Sequence, residues 1–327
     1  MSKPHKADRE EEKSQRLPDF CEDFLIYMEA IAGKSKNTVK EYRYDLLLFF
    51  GFLSAKKGLD NPEHFTVEML NQIALTDLYA FLNYINRERG DKAVTRARKV
   101  ACLRSFFKYA QTKANLIENN PAAELDSPKI TKTLPRYLEL EECQALLNVI
   151  DGEHRERDYC MIVLFLNCGM RLSELVGINT SDLSGDTLVV TGKGNKERTI
   201  YLNQACVDAI EKYLQVRPKI KGKDEKALFL SKRKQRISTK TVQYTVKKYI
   251  TLANLDPKKY STHKLRHTAA TLMYSYGDVD IRALQEILGH NSVATTEIYT
   301  HVNNARLKEA VSKNPLANFK QDGEKEK

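Results

Sequence analysis

Apolar positions recur at helical spacing along most of this chain, and only short stretches alternate as strands do. Residues 18–33 set Phe20, Phe24, Leu25, Met28 and Ile31 on one side of a predicted helix. Residues 36–56 repeat the pattern with Val39, Tyr42, Leu46, Phe49 and Phe50, with Asn37 or Thr38 near the start and Gly58 just past the end. A shorter helix near 66–73, one at 76–88 and a long one at 93–114 follow, the last after a break at Gly90 and Asp91. Residues 115–137 hold Pro121, Pro128 and Pro135 without apolar periodicity, which predicts a linker between two domains.

Beyond the linker, 138–150 and 158–166 read as helices. A glycine break at Gly169 leads directly to Arg171 and a new helix. Residues 187–202 form two β-branched runs around Gly-Lys-Gly-Asn, the signature of a hairpin with Lys193 at or near its tip. Helices are expected at 203–217 and 238–254, with a short strand at 227–231 and a basic loop (Lys232, Arg233, Lys234, Arg236) between them. The helix 280–288 is closed by Gly289, as a C-terminal glycine should close it. Ser292 can cap a following helix that carries Tyr299, and an amphipathic helix at 304–311 precedes a tail, 319–327, too polar to pack. The predicted fold is mainly α with a small β-sheet: a helical domain over 18–114 and a mixed α/β domain over 138–318.

Composition narrows the partners. The 327 residues carry a formal net charge of +10, which favours a polyanion. The opening stretch, 1–17, is charged and lacks the apolar core of a secretory signal, so it reads as a solvated arm. The longest apolar run, 160–166, is too short to span a membrane. Six scattered cysteines (21, 102, 143, 160, 168, 206) without a C-x-x-C pair suggest free thiols in a reducing cytoplasm. No Walker-type phosphate loop appears, so ATP is not implied.

The candidate chemistry gathers late in the chain. His263 and Arg266, three apart, share a helix face and can address one ligand. His290 follows in Leu-Gly-His, and Tyr299 lies nine residues on. A phenol attacking phosphorus must lose its proton, since presenting phenolate at neutral pH costs about 4 kcal/mol; a histidine can take that proton. Arginine can hold the phosphate in bidentate fashion. Arg171 beside a helix start suits an anion, or else Arg171 and Glu174 merely fix that helix start; both can hold. Lys193, with Lys196 and Arg198 nearby, adds a basic cluster fit for phosphate. In the first domain, the cations Arg96, Arg98, Lys99 and Arg104 along 93–114 suit a phosphate backbone or form a solvated face; Lys240 is a further candidate.

Arg171, Lys193, His263, Arg266, His290 and Tyr299, in that order, resemble the active-site set of the tyrosine recombinases. The blocks GMRLSELVG, TGKGNKER, STHKLRHTAAT and LGHNSVATTEIYTHV are most similar to the Xer branch, the chromosome-dimer resolution recombinases, and also resemble integrases of mobile elements. The resemblance covers residues 18–315. It implies a SAM-like helical core-binding domain and a catalytic domain that together clamp duplex DNA in a C shape. It implies that Tyr299 forms a 3′-phosphotyrosyl link, Arg171 and Arg266 hold the non-bridging oxygens, Lys193 serves as general acid and His263 as base. His290 would support the phosphate, and Glu174 would orient Arg171. No metal or other cofactor is implied. Four protomers, alike or of two kinds, would pair two DNA sites through a Holliday junction. The 304–316 segment would dock on a neighbour or pack on its own domain, and a second recombinase or a DNA translocase is a possible partner. A catalytically silent architectural DNA binder, a helix-turn-helix regulator and a type IB topoisomerase are the competing readings. The intact six-residue set argues against the first, and the Lys193 hairpin and Tyr299 spacing leave the second short.

Overall fold

The computed structural model describes residues 16–130, 136–192, 197–277, 279–289 and 296. The chain divides into two compact units, Met1–Lys132 and Thr133–Lys327. Of the solvated arm expected over 1–17, residues 1–15 lie outside the described residues, and Leu17 is buried in the core of the first unit because its side chain is apolar; the helix at 304–311 and the tail also lie outside the described residues.

The first unit holds α1 (Asp19–Ala30), α2 (Lys36–Lys57), a 3-10 turn at Pro62–His64, α3 (Val67–Asn71), α4 (Leu75–Arg87) and α5 (Ala93–Thr112). The sequence pattern dictates how they pack. The i, i+3, i+4 phenylalanines face inward, and Phe50 meets Phe20, Phe65 and Phe106 edge-on at 5.6, 5.2 and 5.6 Å between ring centroids. Each such pair adds about 0.5–1.5 kcal/mol beyond area burial. Ser35, two residues before Asn37 and three before Thr38, is the cap: it accepts the Thr38 N–H at 3.3 Å, and Gly58 closes α2 at φ 72°. The expected linker begins as part of this unit: Ile117, Ala122 and Leu125 are buried in its core, and Asn71 donates to the Leu116 carbonyl at 2.8 Å.

α5 differs from a simple cationic rail. Lys99 is buried and donates to Asp45 at 3.0 Å, with Asp91 at 3.7 Å. Arg98 pairs with Asp45 and with Glu41, and Arg96 donates to the Asp91 carbonyl at 2.5 Å. Desolvation pushes the Asp45 carboxyl up, and Lys99 and Arg98 draw it back only in part. Arg104 and Lys108, further along the helix, remain exposed.

The second unit holds α6 (Leu140–Asn148), α7 (Arg155–Cys168), α8 (Leu172–Gly177), a 3-10 turn at Thr180–Asp182, β1 (Leu183–Ser184), β2 (Thr187–Thr191), β3 (Glu197–Tyr201), α9 (Gln204–Val216), α10 (Thr239–Leu252), α11 (Thr262–Tyr276) and α12 (Ile281–Leu288). α7 is the central element. Its run Cys160–Leu166 is buried all round because α6, α9 and α11 pack against it. The strands form an antiparallel sheet in the order β1-β2-β3, with Leu188 opposite Ile200 and Val190 opposite Arg198. Leu188, Val190 and Ile200 face the core, so the two-residue period puts Arg198 on the inner face as well.

The strand expected at 227–231 does not form. Its backbone is satisfied one group at a time: Leu228 N–H by Ile178 at 2.9 Å, Leu230 N–H by the Tyr213 hydroxyl at 3.2 Å, and only isolated bridges link Ala227 to Asn179 and Leu230 to Arg236. Arg236, expected in a free basic loop, donates to the carbonyls of Val176, Gly177 and Ile178 at 2.9, 2.9 and 3.0 Å. It thereby caps the negative end of α8. The six cysteines are free and buried.

Candidate active site

Two glycines bring the site together. Gly169 ends α7 at φ 59° and Gly289 ends α12 at φ 64°, a left-handed turn that costs a side-chain-bearing residue about 1–2 kcal/mol. A Cβ on Gly169 would lie 2.7 Å from Leu288 Cδ2, so the two helix ends meet through the bare glycine. Asp280 starts α12 by accepting the N–H groups of Arg282 and Ala283 at 2.7 and 2.9 Å.

Three arginines converge on this junction. At the end of α12, three successive carbonyls each accept from a different one: Ile287 from Arg198, Leu288 from Arg266 at 2.6 Å, and Gly289 from Arg171 at 2.6 Å. Arg266, on α11, also donates to the Gly169 carbonyl at 2.8 Å, so its guanidinium faces the negative ends of two helices. Its side chain is 4% exposed, whereas that of Arg171 is 34% exposed.

The same three arginines surround Glu174, whose side chain has no exposed surface. The carboxylate accepts the Arg171 backbone N–H at 2.6 Å, Arg171 Nη1 at 2.7 Å and Arg198 Nη2 at 3.0 Å, and lies 3.8 Å from Arg266 Nη1. Burial pushes this carboxyl up, yet the Arg171 N–H and the Arg198 and Arg171 guanidiniums together hold it below the usual carboxylate range. Of the two alternatives for Arg171 and Glu174, the geometry realises the second: the pair fixes the helix start, and it leaves the Arg171 side chain 34% exposed. Three guanidiniums around one carboxylate leave two net positive charges at this junction.

His263 completes the described part of the site from the first turn of α11. Burial, followed by the charges of Arg266, Lys264 and Arg171, holds its imidazole below the ordinary value, so it is neutral at pH 7 and able to accept a proton. Its ring packs edge-on against His267, with centroids 4.6 Å apart. Lys193, Lys196, His290, Ser292 and Tyr299 lie outside the described residues; Lys193 and Lys196 fall between β2 and β3, and His290 directly follows the Gly289 turn. Arg198, expected to reach DNA, instead turns inward with its side chain 14% exposed. The Glu-Arg-Thr-Ile-Tyr alternation of β3 carried that signal. Lys240, at the start of α10, is exposed. Among the described residues no His, Cys, Asp and Glu side chains group to hold a metal ion, and no helix is long and apolar enough to cross a membrane.

Residues 136–306 match the model of the phage integrase family, and residues 21–113 match that of the phage integrase N-terminal SAM-like domain. The chain belongs to the phage integrase family. This tyrosine recombinase is 55% identical over 311 residues to tyrosine recombinase XerC of Caldanaerobacter subterraneus subsp. tengcongensis, a match covering 92% of this chain and 88% of that protein. It is 37% identical over 297 residues to tyrosine recombinase XerD of Proteus mirabilis, covering 88% and 90%. In fold it is similar to the XerH site-specific recombinase crystallised with a palindromic difH substrate as a post-cleavage complex. That match has a TM-score of 0.69 at 26% identity, over 84% of this chain and 79% of the other. As a tyrosine recombinase the enzyme cuts and rejoins DNA.

Proposed function

We propose that this recombinase resolves chromosome dimers at a dif-like site in the cytoplasm, and that residues 18–114 and 138–318 act as core-binding and catalytic domains on one duplex. Tyr299 attacks the scissile phosphorus, forms a 3′-phosphotyrosyl link and expels the 5′ oxygen. The bond energy is kept in that link, so no ATP is consumed. Arg171 and Arg266 hold the non-bridging oxygens and offset the charge that builds in the transition state. His263 takes the phenol proton, Lys193 returns one to the leaving oxygen, and His290 supports the phosphate. Glu174 keeps Arg171 aimed. Arg96, Arg104, Lys196 and Lys240 are DNA-contact candidates, with Arg98 and Lys99 serving chiefly as internal ion pairs. Four protomers, alike or with a second recombinase, act on two sites, with the 304–316 segment docking on a neighbour.

The observation that carries this reading is the three-arginine seat around Glu174, with a neutral His263 facing Arg171 and Arg266. A supercoiled plasmid carrying two candidate sites in direct repeat tests it. Resolution into two circles without added nucleotide is expected, with the purified protein alone or supplemented with a partner recombinase. Relaxed plasmid without resolution would point to topoisomerase action. Specific binding with no strand exchange under either condition would contradict the proposal.

A further inference from the structure

Arg198 holds a place in this site that the phosphate chemistry alone does not require. It stands on β3, on the strand face shared with Ile200, and reaches two elements at once. Nη2 donates to Glu174 Oε2 at 3.0 Å and Nη1 donates to the Ile287 carbonyl. Gly289 lies flat against its stem: a Cβ there would sit 2.8 Å from Arg198 Cδ and 2.9 Å from Nε. The guanidinium therefore ties the strand that follows the Lys193 segment to the carboxylate that aims Arg171 and to the turn that leads into His290.

We propose that Arg198 is a positioning residue for the cleavage reaction, acting through Glu174 and the Gly289 turn rather than by touching DNA. This rests on the phosphotyrosyl mechanism given above. Three features of the geometry carry it. Arg198 points to the core side of the sheet, with its side chain 14% exposed. Its two terminal nitrogens are committed to protein acceptors on two different elements. The Glu174 oxygen it grips also accepts the Arg171 backbone N–H at 2.6 Å, so movement of one donor is felt by the other. A planar fork spans both acceptors, whereas a lysine ammonium offers a point charge and holds them less well.

The test uses the full chain on a nicked suicide duplex bearing a bound site, with Arg198→Gln, Arg198→Lys, Glu174→Gln and the Arg198→Gln/Glu174→Gln double variant. Covalent-complex formation is followed in single turnover at saturating protein, and affinity by mobility shift across a salt series. Arg198→Gln is expected to keep its affinity and salt dependence while cleaving about tenfold or more slowly, the scale of a lost hydrogen bond to a charged group. Arg198→Lys should fall between it and the parent. The double variant should lose clearly less than the product of the two single losses, since residues acting as one unit are non-additive.

Affinity and salt slope falling together with cleavage would make Arg198 a phosphate contact and overturn the proposal. So would losses that multiply in the double variant, or a parental rate in Arg198→Gln. A merely structural role would lower the fraction of active protein and leave the single-turnover rate of the remainder unchanged, which overturns it equally. If Arg198→Gln does not fold, Arg198→Lys decides: a parental rate there sinks the proposal, and slower cleavage at unchanged affinity sustains it. Tyr299→Phe, run alongside, tests the underlying mechanism separately. A covalent complex formed by that variant would refute the phosphotyrosyl assignment whatever Arg198 does.

Discussion

Replacing Glu174 by glutamine removes one negative charge from the centre of three arginines and adds a donor where only donors converge. One carboxylate oxygen accepts from the Arg171 backbone and Arg198, and the other accepts from Arg171 Nη1. Either orientation of the amide therefore sets its NH2 against another donor. Removing one partner of a buried ion pair costs about 3–5 kcal/mol. The lower end applies here, because each arginine keeps its bond to an α12 carbonyl. At about 2–4 °C per kcal/mol for a unit of this size, a 3 kcal/mol loss lowers the melting point by roughly 6–12 °C. The assay is calorimetry or circular dichroism across a pH series. Because Glu174 is held below the usual carboxylate range, its contribution is fully present at neutral pH and is lost as pH falls from that range down through the lowered folded value. The gap between parent and Glu174→Gln should thus be constant near neutrality and close on acidification. Equal melting points at pH 7, or a gap that widens in acid, would refute the reasoning.

Three further outcomes are expected. Gly289→Ala should lower both melting point and cleavage rate, through about 1–2 kcal/mol of backbone strain plus the contact with Arg198; Gly185→Ala, at φ 58° with nothing within 4 Å, should show the strain alone in melting and parental cleavage. Replacing Arg104 and Lys108 by alanine should weaken DNA binding and flatten its salt dependence by about one unit per lost phosphate contact, whereas Lys99→Met should change stability and leave the salt slope intact. Cleavage under subsaturating DNA should stay flat from neutral to mildly alkaline pH and fall below the ordinary imidazole value as His263 protonates; a fall that begins above neutrality would count against His263 as the base.

Local features of the site were legible in the sequence. Gly169 and Gly289 read as helix ends, and both are left-handed caps. Arg171 and Glu174 are three apart and pair as that spacing allows. What escaped was non-local. Nothing in residues 93–114 says that Lys99 and Arg98 meet a carboxylate more than 50 residues earlier, so a basic helix looked freer than it is. Nor can spacing tell that Arg171 and Arg198 bond to carbonyls 118 and 89 residues away. Arg198 is the instructive case. Its basic neighbours suggested a surface role, but strand alternation, a two-residue rule, put it on the core face. At 227–231 the apolar run has a strand's pattern, yet burial by side-chain packing needs no ladder when each backbone group finds a separate partner.

In the proposed mechanism Tyr299 makes the covalent bond at a phosphate held by Arg171 and Arg266. The most direct measurement is a denaturing gel after incubation with a nicked suicide duplex, comparing the parent with Tyr299→Phe. The parent should give a covalent protein–DNA band and the variant none, with both binding the duplex equally in a mobility shift. A covalent band that survives in Tyr299→Phe would contradict this mechanism.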